Sequence, residues 1–191
     1  METRPGKAYP LGATFDGTGT NFAIYSSVAT AVTLCLLDDD LNEMRIPMTE
    51  VDAYVWHVYV PQVRAGQRYG YRIDGPWDPM NGLRCDPSKL LLDPYAKAIE
   101  GQLKDSLSLL SYCSDDPLVL KGGDSAAATM HSIVVNPFFD WQGDHSPGHD
   151  YSESIIYEAH IKGMTMRHPD VPEELRGTYA GMAHPAIIEH L

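Results

Sequence analysis

The sequence has no run of apolar residues approaching the roughly 18 that a membrane-spanning helix takes, so a bilayer span is not expected. Its first residues, METRPGKAYPLG, lack the apolar stretch of a secretory signal. Positive charge is scarce: 14 Lys and Arg stand against 26 Asp and Glu, for a formal net charge of −12, and no basic run occurs. Phosphate-backbone binding needs clustered Lys and Arg, which argues against nucleic acid and anionic membrane surfaces as partners. Cysteine is also sparse. Cys35, Cys85 and Cys113 are widely spaced, odd in number and free of any CxxC spacing, which suits reduced thiols in a cytoplasm. No metal site or cofactor is expected, and neither internal repeats nor low-complexity segments are present.

What is there is enough for a core: 43% of the 191 residues are hydrophobic and 21% charged, the balance of an ordinary globular chain. From about Pro10 to Asp74 the signals are those of strands and turns. A DGTGT cluster precedes Phe22, Ile24 and Tyr25. AVTLCLLDDD reads as a strand apolar on both faces and stopped by Asp38, Asp39 and Asp40, a solvated turn rather than a calcium site. VDAYVWHVYVP would place Tyr54, Trp56, Val58 and Val60 on one strand face, and QRYGYRIDG puts Tyr69, Tyr71 and Ile73 together. Short strands at this spacing predict a small β-sandwich.

The next stretch changes character. Pro76, Pro79, Pro87 and Pro94 forbid a regular interior strand or a long helix, yet Leu90, Leu91 and Leu92 need burial. An extended segment wrapping the domain, with short helical turns near SKLLL and YAKAI, meets both demands. Residues 101 to 130 read as a surface connection, HSIVVNPFFDW as ordered, and QGDHSPGHD as loop. In that loop Asp144, His145, His149 and Asp150 resemble a metal cluster, but Pro147 and Gly148 rule out the helical face that would make the spacing useful.

SIIYEAHIKGMT then alternates Ile155, Tyr157, Ala159 and Ile161 against Ile156, Glu158, His160 and Lys162, the pattern of a strand with one partly polar face. Residues 166 to 183 read as loop. HPAIIEHL opens a helix, with Pro185 in its first turn and Ile187, Ile188 and Leu191 as its apolar stripe. Strand, loop and amphipathic helix make the first unit of a β/α repeat.

PLGATFDGTGTNFAIYSS, VDAYVWHVYVP, GQRYGYRIDGPWDP and especially GLRCDPSKLLLDPYAKAI resemble the N-terminal region of bacterial glycogen debranching enzymes of the isoamylase type. SIIYEAHIKGMTMRHPDVPEELRGTYAGMAHPAIIEHL is similar to the start of their catalytic barrel, so the likeness runs from about Tyr9 to Leu191. Branching enzymes and trehalose-releasing hydrolases share this order of domains but fit these stretches less well. The resemblance implies an immunoglobulin-like β-sandwich of the family 48 carbohydrate-binding type over residues 9–100. It implies a connection over 101–150, and the first strand and helix of a truncated (β/α)8 barrel of the α-amylase type over 151–191. It further implies hydrolysis of α-1,6 branch linkages in glycogen or limit dextrin by a carboxylate nucleophile and a carboxylic acid/base about 5 Å apart. Those carboxylates lie on later strands, so no catalytic residue is carried over and this chain alone is expected to be inactive. A free-standing glycogen-binding or scaffold module is the alternative.

The partner implied is glycogen or another α-glucan. The aromatic rings available to stack on a sugar are Tyr54, Trp56, Tyr59, Tyr71 and Trp77. Trp56, among apolar neighbours, reads first as a core residue and second as a sugar platform, and Trp77 first as packing between segments and second as a sugar contact. Glu158 and His160 could line a barrel, although a buried network setting strand register is the commoner role. A strand without neighbours would also offer a route to self-association.

Overall fold

The computed structural model describes every residue except Asp105. The chain divides into two compact units, residues 1–139 and residues 140–191. The first is mainly β. Its strands are β1 (Gly12–Phe15), β2 (Gly19–Tyr25), β3 (Ala31–Leu37), β4 (Glu43–Met48), β5 (Glu50–Asp52), β6 (Val55–Pro61), β7 (Arg68–Asp74), β8 (Trp77–Asp78), β9 (Leu83–Arg84), β10 (Ala98–Glu100) and β11 (His131–Ile133). Every pairing is antiparallel. One sheet runs in the order β1-β2-β6-β5, a second in the order β10-β11-β7-β3-β4, and β8 and β9 form a small separate hairpin.

Side-chain alternation makes the two sheets a sandwich. Phe22 and Ile24 of β2 and Val58 and Val60 of β6 point inward from the first sheet, meeting Val32, Leu34 and Leu36 of β3 and Tyr69, Tyr71 and Ile73 of β7 from the second. Each such side chain stabilises by about 1.5–3 kcal/mol over leaving it in water. Phe22 and Tyr69 meet edge-on with ring centroids 5.0 Å apart, and Tyr69 meets Tyr71 likewise at 5.9 Å.

The turns obey local chemistry. Asp38 accepts hydrogen bonds from the Asp40 and Asn42 backbone N–H groups and from the Asn42 amide, so the acidic run is a turn between β3 and β4. One expectation is corrected here. Ala53 and Tyr54 both have positive φ, 48° and 68°, and close a two-residue hairpin between β5 and β6. Tyr54 therefore lies in the turn, exposed, and does not share the inward face of Trp56, Val58 and Val60.

The outer face of the second sheet is covered by the proline-rich segment and the stretch after it. Cys35 and Leu37 project from β3 against Leu90, with Ala126 beside them. Gly70 has to be glycine, because a Cβ there would sit 2.8 Å from the Leu91 carbonyl oxygen and 2.9 Å from a Leu90 methyl. Leu91 bonds reciprocally with Tyr71 through backbone N–H and C=O groups. Two details differ from expectation. SKLLL and YAKAI form no helical turn, since the chain makes tight turns at 87–88 and 94–95 and Ala98 and Ile99 enter β10, and only Leu90 of the three leucines is buried. The stretch expected as a surface connection is also anchored, since Ser125 and Ala128 are buried and β10 and β11 flank it as sheet strands.

The second unit contains α1 (Ile161–Thr165), α2 (Tyr179–Met182) and α3 (Pro185–His190). Helix α3 is where the sequence placed it, with Pro185 in its first turn, although Ile187 is buried while Ile188 and Leu191 are exposed. A short α2 and a 3-10 turn at Glu173–Leu175 replace the loop expected over 166–183. Thr165, Val171, Gly181 and Ile187 form its small interior. The expected strand is the main correction. Among the described residues, 154–160 pair with no strand; Ile155 and Ile156 are 96% and 86% exposed, and the chain turns into α1 at Ile161. Alternating side chains do not make a strand without a neighbouring backbone to take its N–H and C=O groups, and no such neighbour lies in this unit.

Candidate functional site

The aromatic residues named from the sequence occupy different surroundings. Trp56 is half-buried on β6 and packs against the sandwich core, opposite Ile24 and Val51. Trp77 is half-buried on β8 and donates its indole N–H to the Leu118 carbonyl at 2.8 Å, while Arg84 of the same hairpin lies over the Tyr112 ring. Tyr71 is fully buried, its hydroxyl without a partner among the described residues. Tyr54 meets Tyr25 edge-on at 6.4 Å on an exposed turn. The structure brings Trp56 and Trp77 into no shared site.

In the second unit Glu158 faces solvent. His160 is the N-cap of α1, its Nδ1 accepting the Gly163 N–H at 3.1 Å, which satisfies one orphan donor of the helix. Asp144, His145, His149 and Asp150 lie on an exposed loop.

Tyr59 leads to a more organised place. The N-terminal arm pairs with the edge of β6, where Arg4 and Tyr59 exchange backbone hydrogen bonds of 2.9 and 3.0 Å, and then crosses the outer face of the first sheet at Gly6 and Lys7. Asn21, buried on β2, holds the arm from below: its Oδ1 accepts the Lys7 N–H at 2.7 Å and its amide donates to the Lys7 carbonyl at 2.9 Å. Gly6 lets the arm lie flat, since a Cβ there would approach the Val58 backbone to 2.8 Å. Asp16 stands at the turn between β1 and β2. Its Oδ1 accepts the Thr18 N–H and hydroxyl and the Gly19 N–H at 2.9 to 3.0 Å, and the Tyr59 hydroxyl reaches both carboxylate oxygens. The Thr18 backbone N–H, with these other donors, brings its pKa down to about 2. Between arm and sheet lies a cleft of about 250 Å3, lined by Lys7, Tyr9, Pro10, Thr14, Asp16 and Tyr59 among others. Of these only Tyr59 was named from the sequence as a candidate for sugar contact, Asp16 entering only as part of the DGTGT turn. An Asn within the apolar strand TNFAIY was the available signal, because a buried amide needs partners.

The segment over the second sheet is held by buried charge. Arg72 pairs with Glu43 and Asp124 and donates to the Pro87 and Ser88 carbonyls. Buried Lys89 donates to the carbonyls of Ser108, Gly122 and Gly123 at 2.8, 3.2 and 2.7 Å. Tyr69 donates to buried Asp93 at 2.7 Å; burial raises the Asp93 pKa. The Cys35 thiol is pushed up to about 12, chiefly by burial, and all three cysteines are free. These groups fasten the segment to the sheet.

Two antiparallel sheets packed face to face, with an arm and a proline-rich segment laid on their outer faces, define a β-sandwich module. Residues 10–96 match Carbohydrate-binding module 48 (Isoamylase N-terminal domain). More particularly, the chain is similar to the glycogen operon protein GlgX homolog of Mycobacterium tuberculosis, 57% identical over 98% of this chain and 26% of the relative. It is also similar to the glycogen debranching enzyme of Yersinia enterocolitica, 47% identical over 97% of this chain and 28% of the relative. The chain thus spans about a quarter of the length of these curated relatives. Among solved structures, the pullulanase from Bacillus acidopullulyticus shares the fold with a TM-score of 0.60 and 21% identity, over 92% of this chain and 18% of that one. A pullulanase from Anoxybacillus, solved in complex with maltotetraose, does so with a TM-score of 0.57 and 22% identity, over 93% of this chain and 21% of that one. No helix among the described residues is long and apolar enough to cross a membrane.

Proposed function

We propose that this chain is the non-catalytic N-terminal portion of a glycogen debranching enzyme, a cytoplasmic glycoside hydrolase acting on α-1,6 branch linkages. Its sandwich, of the immunoglobulin-like type, handles α-glucan beside a catalytic barrel. The observation that carries this reading is the extent of the likeness: identity of 57% and 47% runs across both units, not the sandwich alone. In the parent enzyme residues 151–191 become the first strand and helix of that barrel, once later strands pair with 154–160. The exposed side chains of Ile155, Ile156 and Tyr157 support this, because a strand with apolar residues on both faces belongs between other strands. A second copy of the chain is the other source of such neighbours. The sandwich's own closed core favours one second reading, a free-standing glycogen-binding module.

Incubating the purified chain with glycogen and pullulan tests the assignment. The expected result is no release of reducing sugar. Reproducible branch-point hydrolysis would overturn the placement of the catalytic carboxylates outside these residues.

A further inference from the structure

Trp56 and Trp77, the two tryptophans weighed as sugar platforms, are both half-buried. Trp56 rests on the core, and Trp77 is tied to Leu118 by its N–H. The cleft beneath the N-terminal arm has what they lack. Tyr9 stands at its edge 82% exposed, next to Pro10, so one side of the cleft is an apolar plate. Around it, hydrogen-bonding capacity is left over among the described residues. The Lys7 ammonium and the Thr14 and Tyr9 hydroxyls have no protein partner, and Asp16 Oδ2 accepts only from Tyr59. Asp16 Oδ1 is filled by the turn, which fixes the carboxylate in place.

We propose that this cleft is a glucan subsite that holds one glucosyl unit, with the C–H face of the pyranose on Tyr9 and its hydroxyls shared between Asp16 and Lys7. The inference deepens the α-glucan reading above and rests on it. A pyranose has an apolar face and a rim of hydroxyls that both donate and accept, so it matches a ring flanked by a fixed acceptor and a mobile donor. A volume of about 250 Å3 falls just below the range of drug-sized pockets, which fits a single sugar unit of a longer chain. The ligand is also neutral, as a chain of net charge −12 favours over an anion. The donor and acceptor are carried by different elements, Lys7 by the arm and Asp16 by the β1–β2 turn. A bound sugar would therefore bridge arm and sheet.

The test is titration of the 15N-labelled chain with maltoheptaose, followed by NMR, alongside Tyr9→Ala and Lys7→Gln. Both residues are exposed, so the variants keep the fold, and their spectra away from the cleft report that directly. The expected result is amide shifts concentrated on the arm, on Thr14 to Thr18 and around Tyr59. Tyr9→Ala should then bind about tenfold more weakly, the scale of losing one aromatic anchor, and Lys7→Gln less severely weakened. Shifts centred elsewhere, or unchanged affinity in Tyr9→Ala, would overturn the subsite while leaving glucan binding by the module intact. No shift in the unsubstituted chain would remove both.

Discussion

The alternating segments VDAYVWHVYVP and SIIYEAHIKGMT look alike on paper and end differently in the two units. The first runs through the end of β5 and all of β6; β6 pairs along its length with β2 and at its start with β5, and sends Val58 and Val60 into the core. The second leaves Ile155 and Ile156 in solvent and turns into a five-residue helix. Side-chain pattern is similar in both, so the difference lies in the backbone. β6 has neighbours on both sides, whereas residues 154–160 have none among the described residues. A strand is a property of a sheet.

The contrast can be sharpened most by Phe22→Ala. Phe22 is fully buried between the sheets, and its loss should destabilise the first unit by about 4 kcal/mol, read from urea unfolding. A loss below about 1 kcal/mol would mean that the core described here does not carry the sandwich.

A smaller effect is expected at Asp16, and it depends on pH. Its folded pKa, about 2, lies below the ordinary 3.8, so the stability it contributes is present above 3.8 and lost as pH falls towards 2. Asp16→Asn should lower the urea midpoint at neutral pH and leave it close to that of the unsubstituted chain at about pH 2. An equal gap at both pH values would show that the carboxylate's charge is not what the turn uses.

The smallest effect belongs to the second unit. Ile156→Ser should change stability by no more than about 0.5 kcal/mol, and the amides of residues 155–160 should exchange with solvent far faster than those of β3. Strong protection there in dilute solution would break the comparison by showing that the segment has found a partner.

Much of the sandwich was legible because its strands are marked by local chemistry: DGTGT, the Asp38 turn, the alternation through Tyr69, Tyr71 and Ile73. The division of VDAYVWHVYVP was not, since Ala53 and Tyr54 carry none of the Gly or Asn signals usual for positive φ. β10 went unread, and β11 was read only as ordered, for another reason. They are three residues each, and their places depend on β7, far away in sequence. The cleft was hidden by the same kind of distance. Tyr9, Asp16 and Tyr59 come together only when the arm crosses β6, and nothing in METRPGKAYP alone announces that crossing.

Lys89 behaves unlike the other lysines of the chain. Lys7, Lys97, Lys104, Lys121 and Lys162 are exposed, while the Lys89 ammonium is enclosed by three carbonyl oxygens. To an amine-directed reagent, or to an acetylating enzyme, the folded chain therefore offers every lysine but this one. Lys89 becomes available only when the segment that brings Ser108, Gly122 and Gly123 lifts away, so its reactivity records that event and no other lysine's does.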